Sequence, residues 1–239
     1  MAEIGSTITP QVLIFGDDFK DAAQTLQKGD RFHIPHSLHL DGDGVGGSLP
    51  YEPTLASVSD APVTCESVTE GDILCLLFTG GTTGLPQAAQ ISYGQVAWNT
   101  FNTTIHEINR FDTTITHTPM FHTGGLLVYS IPLLTIGGKV VIMDKWDVDQ
   151  MLSLVESEGV NLFFAVPTQY QQMVESPLFE GLDLSALRFV TSGGAPLPVP
   201  LLKAFQAIHP IPFKQGGGRT EFGPGVFSMG AEFASSKAG

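Results

Sequence analysis

The chain has 239 residues, 42% of them hydrophobic, enough to bury a substantial core as one large domain or two small ones. Its 11 Lys and Arg face 24 Asp and Glu, a net charge of −13, which leaves no basic footprint for nucleic acid or for an anionic membrane surface. No basic-then-apolar leader opens the sequence, and the longest apolar run, 126–136, contains Pro132 and is too short for a bilayer, so a cytoplasmic setting without a transmembrane segment is expected.

Residues 12–15 read as a strand and 18–26 as a helix. Residues 33–67 lack periodicity, are rich in Gly, Pro, Ser and Asp, and read as a long loop. A buried strand at 73–78 runs into a Gly/Thr stretch, 79–86. Ser92, with Gln95 three residues on, opens a helix that reaches about Asn109. A strand is expected at 115–118, a buried helix interrupted or bent by Pro132 at 126–135, and a strand at 140–143. A helix over 147–157 places Val148, Met151, Leu152 and Val155 on one face. A strand at 162–166 precedes a helix opened by Pro167. A strand at 188–191, a helix at 199–207 and a strand near Phe213 complete the order. This alternation predicts an α/β fold of mainly parallel sheet flanked by helices.

Four stretches could carry chemistry. In TGGTTGLP, 79–86, glycines can turn backbone N–H groups toward an anion and threonines add neutral donors; an ordinary Gly-rich turn is the alternative. No Lys or Arg lies between Arg31 and Arg110, so a phosphate there would depend on amides, hydroxyls and a metal ion. His122 in PMFHTGG, 119–125, could meet a carboxylate or be a satisfied strand-end histidine. SGGAP, 192–196, and QGGGRTEFGP, 215–224, read as strand-end loops where a flat ligand can approach the backbone. Thr220 offers a hydroxyl, and Glu221 either a hard oxygen for Mg²⁺ or a solvated carboxylate. Weaker signals are the triad His33, His36 and His39 and a partial calcium-loop pattern of Asp41, Asp43, Gly46 and Glu52, both disfavoured by the nearby prolines. Cys75 reads as a buried thiol, and nothing supports pairing it with Cys65.

Together the four stretches resemble the adenylate-forming, AMP-binding superfamily, nearest to fatty-acyl and aryl-CoA synthetases. The resemblance covers roughly residues 8 to 235 and rests on the order of the motifs, with SGGAPL at 192–197 unchanged. It implies part of the large N-terminal domain of such an enzyme, a partial AMP-binding domain over 1–239. ATP or AMP, Mg²⁺ and coenzyme A would serve a fatty or aromatic carboxylic acid. By position, Thr79, Gly81, Thr82, Thr83 and Gly84 would cradle phosphates, and Gly194, Ala195 and Pro196 would line adenine. Thr220 would bond the α-phosphate, Glu221 would hold Mg²⁺, His122 would lie beside the acyl carboxylate, and Gly124, Gly216 and Gly217 would border ligand.

The sequence departs from the family at four points. Gly80 replaces a serine, Gln87 the loop lysine and Gly217 an aromatic residue, while Arg219 stands where a smaller apolar residue is usual. The mobile C-terminal domain and its lysine have no counterpart, so a truncated chain with little or no ligase activity is expected, alongside a non-enzymatic binder and an amino-acid adenylation piece as other readings. An exposed apolar surface able to support self-association is also expected.

Overall fold

A computed structural model describes residues 2–29, 32–64, 67–79 and 86–237. The chain divides into two compact units, Met1–Ser67 with Gly80–Pro86, and Val68–Thr79 with Gln87–Gly239.

The smaller unit holds α1 (Ala2–Ile8), β1 (Val12–Phe15), α2 (Lys20–Lys28), β2 (His36–His39), β3 (Leu49–Pro50) and α3 (Tyr51–Ser57). Its three strands form a parallel sheet in the order β1-β2-β3. The expected long loop at 33–67 is therefore wrong, since it contains two strands and a helix. β2 is short and polar, so periodicity could not reveal it. Its buried side is Ser37, on which Gln27 Nε2 closes at 2.5 Å, and His39, whose ring stacks 5.1 Å from Phe15. The strand also separates the histidine triad, because residues three apart on a strand face opposite ways. His39 is buried, whereas His33 and His36 are exposed.

The larger unit opens with an antiparallel ribbon, β4 (Ile73–Thr79) and β5 (Gln87–Ser92). The stretch after β4 thus leads to a strand rather than a helix. β4 is also less buried than expected: Ile73 and Leu74 are exposed and only Leu77 is deeply covered. A ribbon covered on one face explains this, with Leu77 and Ile91 packed against Val96 and Leu127.

α4 (Tyr93–Thr103) starts where Ser92 Oγ accepts from Gln95 N at 3.1 Å, the expected cap. It stops short of residue 109, because a 3-10 turn at Thr104–His106 is followed by Glu107 at φ 64°. Then come β6 (Thr113–Thr116), α5 (Thr123–Leu127), α6 (Ser130–Ile136) and β7 (Lys139–Ile142). The helix expected at 126–135, interrupted or bent by Pro132, is interrupted and forms two helices. Pro132 sits in the first turn of α6, where its missing N–H is tolerated, and a continuous helix would drive its ring into the Val128 carbonyl. The chain breaks instead at Val128 and Tyr129.

Most of the rest follows the sequence closely: α7 (Val148–Ser157), β8 (Leu162–Ala165), α8 (Pro167–Glu175), β9 (Phe189–Ser192) and α9 (Val199–Ile208), whereas β10 (Phe213–Arg219) runs well past the strand expected near Phe213 and β11 (Gly223–Met229) has no counterpart in the expected order. Asp147 caps α7 by accepting from Gln150 N at 2.8 Å. The six-stranded sheet has the order β11-β10-β9-β8-β6-β7, parallel throughout except for β11. One face is sealed by α7, α8 and α9 over Met151, Leu152, Tyr170, Met173, Phe205 and Phe213. The other side carries an apolar stripe on α4 and the 3-10 turn after it, where Trp98, Phe101 and Ile105 are 64%, 63% and 71% exposed. No helix among the described residues is long and apolar enough to cross a membrane.

Phe205 is fully buried and its ring centroid lies 4.8–5.7 Å from those of Tyr170, Phe179 and Phe213. Phe205→Ala is expected to destabilise this unit by about 3–5 kcal/mol in urea unfolding, against less than about 0.5 kcal/mol for Trp98→Ala on the exposed stripe. Equal costs at the two positions would contradict this placement of the core.

Candidate functional site

The C-terminal ends of parallel strands leave a crevice where connecting loops can hold a ligand. Here β9 ends in the Ser192–Pro196 segment and β10 extends beyond it into a hairpin with β11. The QGGGR run, expected as a loop, is thus part of a strand, and only Thr220–Phe222 form the turn. The glycines are required by close approach. A Cβ on Gly218 would lie 2.2 Å from the Gly223 carbonyl oxygen, and one on Gly193 would lie 2.6 Å from that of Gly216.

A cavity of about 370 Å³ opens between this hairpin, the end of α4 and α5. Thr123, Gly124, Gly194, Gly216 and Gly217 contribute to its wall, so three of the four stretches picked out in the sequence meet there. Val128 and Phe164 add apolar surface.

At one end the cavity is bounded by a chain of polar groups from distant parts of the sequence. Ser228 Oγ lies 2.5 Å from His106 Nε2, and His106 Nδ1 lies 2.8 Å from the Tyr129 hydroxyl. That hydroxyl is 2.6 Å from Thr191 Oγ1. Burial, reinforced by the nearby charge of Lys214, lowers the His106 pKa to about 4, so the ring is neutral at pH 7. Burial also pushes the Tyr129 phenol far above its ordinary value. Lys214 Nζ donates to the His106 carbonyl at 2.8 Å and lies 3.9 Å from the Phe189 ring centroid. Desolvation lowers the Lys214 pKa, partly opposed by Glu107.

The remaining expected site residues among those described are not part of its wall. His122 is exposed, precedes α5, and its ring centroid is 4.9 Å from that of Phe121. Ala195 and Pro196 are exposed beyond β9. Thr220 is half-buried and Glu221 exposed, in the hairpin turn. The backbone carbonyl of Glu221 accepts from Gln95 Nε2 at 2.6 Å, which ties that turn to α4. Thr79 ends β4, with its hydroxyl 3.5 Å from the Gln87 carbonyl. Gly81, Thr82, Thr83 and Gly84 lie outside the described residues. Sequence reasoning missed His106, Tyr129 and Ser228. Their separation along the chain hides them, and the one local cue was the position of Thr191 directly before Ser192-Gly-Gly.

The smaller unit brings together Asp17, His39 and Asp41, whose ligand atoms lie within 4.8 Å of one another. Lys20 Nζ and His39 Nε2 each sit 2.9 Å from Asp17 Oδ1, and the Asp17 N–H donates to Asp41 Oδ2, whereas the buried His39 Nδ1 has no partner among the described residues.

The profile of the family described as AMP-binding enzyme matches residues 1–238. A feruloyl-CoA synthase of Amycolatopsis sp is 34% identical over 169 residues, 70% of this chain and 34% of that protein. An indoleacetate–CoA ligase of Aromatoleum aromaticum is 34% identical over 194 residues, 81% of this chain and 38% of that protein. The chain therefore spans little more than a third of these relatives. Among solved structures, the inhibitor-bound N-terminal domain of FACL13 from Mycobacterium tuberculosis superposes with a TM-score of 0.86 at 26% identity, covering 100% of this chain and 58% of that one.

His117, like His106, is buried and held at a pKa of about 4, chiefly by desolvation. Both folded values lie below the ordinary 6.5, so the unfolded chain takes up these protons first as pH falls. Their contribution to stability is complete above about pH 6.5 and is lost progressively down to about pH 4, with a slope approaching ~1.4 kcal/mol per pH unit for each group. Unfolding free energies between pH 4 and 7 should show this slope, and His117→Asn should remove about one proton's share of it. A pH-independent wild type would contradict the neutral, buried state of these rings.

Proposed function

The chain belongs to the AMP-binding enzyme family, and from that footing we propose that its cavity is the acyl-binding half of an AMP-forming acid–CoA ligase site. The observation that carries this reading is the meeting of Gly124, Gly194, Gly216 and Gly217 in one wall. In this reaction a carboxylate oxygen attacks the α-phosphorus of ATP and pyrophosphate leaves with the bonding pair. A thiol such as that of coenzyme A then displaces AMP from the acyl-adenylate. The relatives named for ferulate and indoleacetate favour an aromatic acid over a fatty one here.

In this reading Gly194, Ala195 and Pro196 lie along adenine. Gly217 lacks the aromatic ring expected of the family, but Phe227 is its cross-strand partner on β11, and its Cβ and ring lie 4.0 Å from where a Cβ on Gly217 would stand. Phe227 is 74% exposed and offers a face for a base, a contact worth about 1 kcal/mol. Thr220 donates to the α-phosphate, and His122 stands beside the carboxylate. Glu221 fits a Mg²⁺ site, because its exposed carboxylate makes no hydrogen bond or ion pair among the described residues. Mg²⁺ characteristically takes one or two carboxylates and completes its shell with phosphates and water. Bound there, Mg²⁺ would supply charge neutralisation on the phosphates. Thr79, with Gly81, Thr82, Thr83 and Gly84, would cradle the departing pyrophosphate.

Two substitutions favour a weakened catalyst. Gln87 carries no charge toward the pyrophosphate, and loss of one preorganised charge can cost ~10²–10³ in rate. The exchange of aromatic position from 217 to 227 also alters the base site. The reading is thus of a partial AMP-binding domain that retains nucleotide binding and has little turnover on its own. The test is ATP–pyrophosphate exchange over a panel of aromatic and fatty acids, with calorimetry of AMP in the presence of Mg²⁺. Binding without exchange is expected, and Glu221→Ala should weaken ATP binding by about tenfold when Mg²⁺ is present and little in its absence. Robust exchange would overturn the weak-catalyst reading, and an unaffected Glu221→Ala would remove the metal role.

A further inference from the structure

We infer that the hydrogen-bonded pair His106–Ser228 is the end wall of the acid cavity and limits the length of acid the chain accepts. The inference rests on the acyl-site reading above. A second cavity, of about 530 Å³, lies behind the first, and the two share Ile105, His106 and Ser228 in their walls. The near cavity is bordered by Gly216, Gly217 and Val128, and the far one by Pro212, Phe189 and Lys214. Removing the His106 ring would join them.

The wall is held from several directions. Each ring nitrogen of His106 has a partner, the Tyr129 hydroxyl at 2.8 Å and Ser228 Oγ at 2.5 Å. Its carbonyl accepts from Lys214 Nζ at 2.8 Å. The ring packs edge-on to Tyr129 and Phe189, with centroids 5.9 and 6.4 Å away, and only 8% of the residue is exposed. An acyl chain passing this point would have to break both ring bonds and strand the buried Tyr129 hydroxyl without one partner, a loss that apolar contact alone does not replace. It would then enter a space bordered by the ammonium group of Lys214. The cavity accordingly suits a compact acid of single-ring size and rejects a long unbranched one. In the joined space, each additional methylene moved out of water would strengthen binding roughly fourfold.

The experiment uses two stable acyl-adenylate mimics, cinnamoyl- and dodecanoyl-sulfamoyl adenosine, titrated calorimetrically into the full chain. The wild type should bind the cinnamoyl probe at least about tenfold more tightly. His106→Ala should shift that ratio at least about tenfold toward the dodecanoyl probe by a gain in dodecanoyl affinity, which general loosening of the fold would not produce. Ser228→Gly, which leaves His106 on Tyr129, should shift it in the same direction by a smaller factor. Should His106→Ala fail to fold, Ser228→Gly decides. An unchanged ratio in folded variants, or equal binding of both probes by the wild type, would overturn the wall while leaving the acyl-site reading intact. Failure of the wild type to bind either probe would overturn that reading and the wall with it.

Discussion

The candidate site depends on how the hydroxyl of Tyr129 is satisfied. The residue is almost completely buried at the corner between α5 and α6, and an unpaired buried hydroxyl would cost about 1–3 kcal/mol. Its partners are His106, just after α4, and Thr191 on β9. His106 in turn reaches Ser228 on β11. One polar chain thereby fixes the spacing between two helices and two strands. The cavity lies within that frame. It requires the corner at Val128 and Tyr129, which exists because Pro132 prevents one continuous helix.

A second constraint acts on the other side of the cavity. Glycine backbone packs against glycine backbone at the end of β9 and along the β10–β11 hairpin. Side chains at Gly193 and Gly218 would meet carbonyl oxygens at 2.6 and 2.2 Å. The site is thus built from a polar frame at one end and bare backbone along one wall. That combination can accept a flat ligand while supplying few charges.

Much of the larger unit was legible because its signals are local. Ser92, Asp147 and Pro167 mark helix starts through capping and fixed φ, and the structure places each at a helix N-terminus. The apolar positions Met151, Leu152 and Val155 face the core as their spacing predicts. The errors arose where local chemistry was ambiguous. The glycine run 216–218 has loop composition but is held as strand by the antiparallel ladder to β11, in which Gly216 and Gly217 face Ser228 and Phe227. β2 has almost no apolar periodicity and exists through its ladder to β1 and the cover given by Phe15 and Gln27. The His106, Tyr129, Thr191 and Ser228 chain could not be read in advance, because its members are separated by 23, 62 and 122 residues in pairwise contact. Gly124, Gly194, Gly216 and Gly217, singled out by the family motifs, line one cavity, and their legibility comes from the compositional trace that a backbone role leaves.

The central claim is that the cavity framed by α5, β9 and the β10–β11 hairpin receives the acyl part of an adenylate. The most direct measurement is a crystal structure of the chain with cinnamoyl-sulfamoyl adenosine and Mg²⁺. The cinnamoyl ring is expected against Gly124, Val128 and Gly216, pointing toward His106, with the adenine along Gly194–Pro196. Density for the ring outside this cavity, with the cavity filled only by water, would contradict it.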